Sequence, residues 1–138
     1  MPEARIKFQD GMRFSAITGS GHEVLMDSSH EFGGQNTAAR PMELLLAGLG
    51  GCTGMDVISI LRKKKQEVTS FEIIVKGKRA EEHPKRYTGI EVEFVFKGNN
   101  LSEEAVKRAV ELSMEKYCSV RATLEGNTPV TYHYSIGQ

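Results

Sequence analysis

Two side chains in this sequence carry thiol chemistry, Cys52 and Cys118. Cys52 is set in the run Leu46-Ala47-Gly48-Leu49-Gly50-Gly51-Cys52-Thr53-Gly54, flanked on both sides by apolar, helix-forming sequence. Each glycine in a helix interior costs ~1 kcal/mol relative to alanine. Four of them within seven positions imply that something approaches this backbone closely. Cys118 follows Tyr117 at the end of a second helical pattern. The nucleophile in thiol chemistry is the thiolate; burial disfavours it, and a nearby cation favours it. Asp56, four residues after Cys52, is placed to share its helix face and opposes ionisation. A reactive Cys52 therefore requires a cation from elsewhere, with Arg13, Arg40 and Arg121 as candidates. The plainer reading of either cysteine, a small inert core residue, stays open beside the reactive one. No metal site is expected, because neither cysteine has a ligand neighbour two to four residues away and the four histidines are scattered. No cofactor is expected either.

The elements that must position these thiols follow from the apolar pattern. At 138 residues the chain is expected to form a single domain, residues 1–138. Ala4, Ile6 and Phe8 alternate with polar residues, Asp10-Gly11 is a hairpin turn signal, and Met12, Phe14 and Ala16 continue the alternation. With His22–Asp27 as a third strand, the opening reads as an antiparallel meander. Residues 28–40 read as a loop, long enough that function is over-represented in its class. Pro41 suits a first helical position. The helix it opens runs to about Lys64 and is apolar on nearly every face, which predicts a buried central helix. Strands centred on Phe71–Val75 and Ile90–Phe96 follow, joined by the charged stretch 77–86. Ser102 caps a second helix whose stripe is Val106, Ala109, Val110, Ser113, Met114 and Tyr117; Cys118–Leu124 forms a further short helix, and Val130–Ile136 the last strand. The order βββ-α-ββ-α-β places the chain in the α+β class.

Composition narrows the partners. Lys+Arg and Asp+Glu are both 18, so net charge is zero and nothing steers the chain to nucleic acid or an anionic membrane. No apolar run reaches ~18 residues without a charge, so no membrane span is expected. The polar start Met1-Pro2-Glu3-Ala4-Arg5 does not read as a signal peptide, which leaves the cytoplasm as the expected compartment, where a two-cysteine bridge is transient rather than structural. The first helix has little polar surface between Leu44 and Ile60, so something must cover it. The expected cover is a second copy of the chain, with Ala47/Gly51 and Gly50/Gly54 letting two helices approach. The alternative is that these glycines fit the helix to its own sheet.

The segment Pro41-Met42-Glu43-Leu44-Leu45-Leu46-Ala47-Gly48-Leu49-Gly50-Gly51-Cys52, with Tyr117-Cys118-Ser119-Val120 far downstream, resembles the OsmC/Ohr family of osmotically inducible and organic hydroperoxide resistance proteins. It is most similar to the YhfA-like branch, and the likeness extends over essentially the whole chain. The resemblance implies an OsmC-like, intertwined homodimer with the cysteine helices at its centre and active sites between chains. It also implies a thiol-dependent peroxidase that reduces organic hydroperoxides and is regenerated by an external dithiol. Cys52 matches the peroxidatic cysteine, Cys118 the resolving cysteine, and Glu43 stands nearest the activating glutamate. Two positions depart from the family pattern. Met42 occupies the place directly after the proline where that glutamate normally stands, and Gln9 occupies the hairpin position of the activating arginine, with Arg13 nearby but out of register. These departures favour an alternative, a non-catalytic dimer of the same fold that binds a small apolar ligand. A thiol-dependent hydrolase or transferase is a third, weaker reading.

Overall fold

The computed structural model describes residues 1–137, in two compact units, Met1–Leu45 and the chain from Leu46 onward. In the first unit, β1 (Ala4–Asp10), β2 (Arg13–Thr18) and β3 (Glu23–Met26) form an antiparallel sheet in chain order. The turn between β1 and β2 is made by Gly11 in the left-handed region at φ 51°, a conformation that glycine adopts without penalty. Phe8 pairs with Phe14 across the hairpin, ring centroids 5.5 Å apart. The unit buries little: every residue of β1 is exposed, and Ser15 and Ala16 of β2 are its buried strand residues.

The loop after β3 is organised by one carboxylate. Asp27 is buried, and its two oxygens accept from Ser28 N–H (2.7 Å), Gln35 N–H (3.2 Å), Thr37 N–H (3.0 Å) and the Thr37 hydroxyl (2.7 Å). The Thr37 hydroxyl, with the three N–H groups, outweighs burial and holds the Asp27 carboxyl down at about 2. The segment predicted as a plain loop thus folds around an anion, with a short 3-10 turn at His30–Phe32.

Helix α1 (Pro41–Lys63) carries the chain into the second unit, within one residue of the predicted end. The second unit continues with β4 (Glu67–Arg79), β5 (Tyr87–Asn99), α2 (Glu103–Leu112), α3 (Ser119–Leu124) and β6 (Val130–Gly137). β4 and β5 form a long antiparallel hairpin, and β6 adds to β5 in parallel, so the α+β order is as predicted while this sheet is mixed. As the middle strand, β5 supplies the core residues Ile90, Val92, Phe94 and Phe96; Phe71 of β4 stacks on Phe96 with centroids 4.5 Å apart. Val106, Ala109 and Val110 of α2 are buried, and its first turn is closed by the Ser102 hydroxyl accepting from Ala105 N–H at 3.2 Å.

α1 departs from the buried helix that its composition predicts. Leu49, Thr53, Val57 and Leu61, four apart, form its one buried stripe. On the opposite face Ala47, Gly51, Met55 and Ser59 are exposed, Met55 at 75%. Its glycines divide accordingly. A Cβ on Gly54 would stand 2.9 Å from Ile73 Cδ1, and one on Gly50 would stand 3.2 Å from Val75 Cγ2, so these two fit the helix to β4. Around Gly48 and Gly51 there is nothing within 4 Å. By length and composition alone α1 could cross a bilayer. Its buried stripe, with a buried threonine hydrogen-bonded inside it, makes it instead the core helix of its unit.

Candidate functional site

Both cysteines lie in the second unit, and the fold closes the 66-residue gap between them. Cys52 sits mid-way along α1, half-buried; Cys118 is buried at the N-cap of α3. The Cys52 and Cys118 sulfurs and a carboxylate oxygen of Asp56 all lie within 4.8 Å of one another. Asp56 joins the group through its i+4 spacing, as expected from the sequence. Cys118 arrives by a less legible route. α2 ends at Leu112 and the chain makes a π turn over Ser113–Tyr117, where a continuous helix had been expected, before Cys118 leaves helical geometry at ψ 103°. The wider turn is closed by Cys118 N–H donating to the Ser113 carbonyl at 2.8 Å. Such turns occur frequently at functional sites.

A hydroxyl relay fixes the carboxylate. Ser113 Oγ donates to Asp56 Oδ2 at 3.0 Å and is 2.6 Å from Thr53 Oγ1, with both hydroxyls fully buried. In the sequence Ser113 falls on the apolar stripe of α2. A hydroxyl on a buried stripe must find a polar partner, and that requirement was the signal available in the sequence.

The two thiols have different surroundings. Burial, above all, pushes the Cys118 thiol up to about 11. The Arg121 N–H, which donates to Cys118 Sγ at 3.4 Å, works in the opposite direction; the hydrogen bond to Cys52 and the charges of Cys52 and Asp56 add to the rise. At neutral pH Cys118 therefore holds its proton. Cys52 is the more exposed of the two. An open cleft of about 600 Å³ beside Asp56 is walled by Met55, Ile60, Leu112 and Tyr117 together with the polar Ser59 and Lys63, and neither cysteine is on its lining.

Of the three candidate cations, Arg121 gives its guanidinium to Glu125 at 3.3 Å, and Arg40 donates to the Ala38 carbonyl at 3.1 Å. Arg13, in the first unit, has a buried Nε without a hydrogen-bond partner among the described residues. Glu43 lies in the first turn of α1, within the first unit, where Oε1 accepts from Arg40 N–H at 2.8 Å. That is a helix-capping role of the kind an acid serves at this position.

The family model described as OsmC-like protein matches residues 34–133, a span that runs across the junction of the two units. Protein YhfA of Escherichia coli (strain K12) is 40% identical over 134 residues, 97% of each chain. Among solved structures, a protein from Aquifex aeolicus VF5 superposes with a TM-score of 0.81 at 36% identity, covering all of this chain and 98% of the other. An organic hydroperoxide resistance protein from Elizabethkingia anophelis superposes with a TM-score of 0.71 at 19% identity, covering 99% and 96%, a likeness of fold.

Proposed function

Since the chain belongs to the OsmC-like family, we propose that it is a thiol peroxidase in which Cys52 and Cys118 reduce organic hydroperoxides. The observation that carries this reading is the placement of an accessible sulfur against a buried, protonated one, within 4.8 Å. The Cys52 thiolate attacks the distal oxygen of R–O–O–H; the S–O bond forms, the O–O bond breaks, and the alkoxide leaves as alcohol after taking a proton. Cys118 then displaces the hydroxyl of the Cys52 sulfenic acid: the S–S bond forms and water departs. An external dithiol restores both thiols by exchange. The cycle needs a reducing compartment, and the cytoplasm is the proposed one.

The proposed molecule is a homodimer. Its support is apolar surface that the chain leaves open: Ile6 (55% exposed) and Phe8 (61%) on β1, and the Ala47–Ser59 face of α1. A second copy is the partner in which such surfaces bury each other under two-fold symmetry.

Reduced protein mixed with cumene hydroperoxide should consume one equivalent per chain and lose two hydrogens in mass as the disulfide forms. Turnover should require added dithiol and vanish in Cys52→Ser. Unchanged peroxide and unchanged mass in the wild type would refute the assignment. One observation favours the non-catalytic reading. The first unit holds an apolar cavity of about 300 Å³ lined by Ile6, Met12, Phe14 and Met26, while Glu43 is engaged as a helix cap. On that reading an apolar ligand binds equally well to wild type and Cys52→Ser.

A further inference from the structure

We propose that Cys52, Asp56 and Cys118 together form a binding site for a thiophilic divalent cation of the zinc class. The two sulfurs and a carboxylate oxygen, three donors that zinc accepts, converge within 4.8 Å. In a tetrahedral zinc site, metal–sulfur bonds of about 2.3 Å and metal–oxygen bonds of about 2.0–2.2 Å hold such donors roughly 3.5–3.8 Å apart. From separations of at most 4.8 Å, the cluster reaches that spacing by closing about 1.0–1.3 Å at most, within the reach of a side-chain rotation.

Three further features of the cluster fit a cation. First, its charges are of one sign. Asp56 meets no lysine, arginine or histidine in an ion pair among the described residues, and Arg121, the nearest arginine in sequence to Cys118, pairs with Glu125. Three groups that are anionic when deprotonated, gathered without a counter-charge, repel one another; a divalent ion turns that repulsion into attraction. Second, the carboxylate is oriented from behind. Ser113 Oγ donates to Asp56 Oδ2 at 3.0 Å and is itself held by Thr53 Oγ1 at 2.6 Å. A ligating carboxylate held from behind by a hydroxyl is a typical outer-shell arrangement. Third, Cys118 Sγ accepts the Arg121 N–H at 3.4 Å, a hydrogen bond that works toward the anionic, ligating form and partly offsets the burial that favours the thiol. With three protein donors, the fourth position faces solvent or an exogenous ligand, the layout of an open rather than a closed structural site. Linear spacing gave no hint of it, since Cys52-x-x-x-Asp56 supplies two donors and the third comes from 62 residues beyond Asp56.

Binding needs only the reduced thiols in this geometry and is independent of peroxide turnover. Each ligating thiol releases its proton to solvent. A metal-loaded site has both sulfurs occupied, so the cation and the peroxide compete for Cys52.

The test uses reduced, chelator-treated full-length protein with Co²⁺ alone. The expected result is one Co²⁺ per chain with thiolate-to-metal charge-transfer absorption and tetrahedral ligand-field bands, all displaced by Zn²⁺. Asp56→Asn, nearly isosteric, should weaken Co²⁺ binding at least ~10-fold, and Ser113→Ala, through the carboxylate it orients, about 10-fold. A measurement on the wild type needs no variant to fold: Zn²⁺ should protect both cysteines from iodoacetamide, read by peptide mass. Absence of charge-transfer absorption overturns the proposal, as does an affinity unchanged in a folded Asp56→Asn variant, or alkylation equally fast with and without Zn²⁺. Peroxide consumption assayed in the same metal-free protein keeps the two readings separate, because a metal-binding chain without turnover sinks only the peroxidase, and turnover without metal binding sinks only this site.

Discussion

In the proposed cycle Cys118 takes the second step, because the burial around it makes it a poor initiator. The residue is 3% exposed and its thiol is pushed up to about 11, so on this proposal a peroxide meets Cys52 first. Cys118→Ser should therefore stop the reaction after its first chemical step. One equivalent of cumene hydroperoxide is still consumed, the product carries one added oxygen and reacts with dimedone, and dithiol-dependent turnover falls to the background rate; turnover continuing at the wild-type rate would contradict the proposed order. The relay behind Asp56 makes a second prediction at this scale. Ser113 and Thr53 are both fully buried, so Ser113→Ala strands the Thr53 hydroxyl and removes a hydrogen bond from a carboxylate. Each loss is worth about 1–3 kcal/mol. Chemical denaturation should show Ser113→Ala less stable by roughly 2–4 kcal/mol, with Thr53→Val/Ser113→Ala costing less than the sum of the two single changes because nothing is then left unpaired between them. Strict additivity would mean the two hydroxyls do not interact.

At the scale of elements, the pieces with strong local signals were legible and those built by distant pairing were not. Pro41 and the Arg62-Lys63-Lys64-Lys65 run bracketed α1 because a missing N–H and a set of cations each suit one end of a helix. Asp10-Gly11 marked its hairpin because a left-handed residue is required there. The parallel seating of β6 on β5 depends on contacts some forty residues apart and leaves no trace in the alternation of either strand. The π turn before Cys118 is a one-residue adjustment within an otherwise helical pattern. The cluster of Cys52 with Asp56 was readable from i+4 spacing, whereas its completion by Cys118 and Ser113 had to come from the fold. Asp27 went unnoticed for a related reason, since three of its four donors are backbone N–H groups that every sequence contains. Its carboxylate gives the loop a defined acid sensitivity. The folded value of about 2 lies below the ordinary 3.8, so the stabilisation is fully present above about pH 4 and is lost as pH falls through 2. Amide exchange at Gln35 and Thr37, normalised for intrinsic rate, should accelerate between pH 4 and pH 2, and Asp27→Asn should show the fast exchange already at pH 6. Protection unchanged across that range would mean the loop is held by something else.

For the whole molecule, the decisive quantity is what covers the outer face of α1. Ala47, Gly51, Met55 and Ser59 lie four apart, opposite the buried stripe, and are small apart from Met55. Gly51 has nothing within 4 Å, so within one chain a side chain there meets no obstacle and relieves a helix penalty of up to ~1 kcal/mol. If a second copy lays its own helix against this stripe, the same substitution inserts bulk where two backbones meet. Overpacking a fitted contact costs about 1–3 kcal/mol, and a two-fold interface suffers it twice, so Gly51→Leu should weaken self-association by roughly 30-fold to 10⁴-fold. The two effects have opposite signs, which makes the variant diagnostic. Sedimentation at micromolar concentration should give a dimer for the wild type and a shift toward monomer for Gly51→Leu, while the helical circular dichroism of the variant is retained. Because Cys52 is the next residue along the helix, peroxide consumption should fall with the dimer and recover as protein concentration is raised. A wild type that sediments as a monomer, or a Gly51→Leu protein that associates as tightly as the wild type, would leave the exposed stripe without its proposed partner, and the reaction at Cys52 would then have to be completed within a single chain.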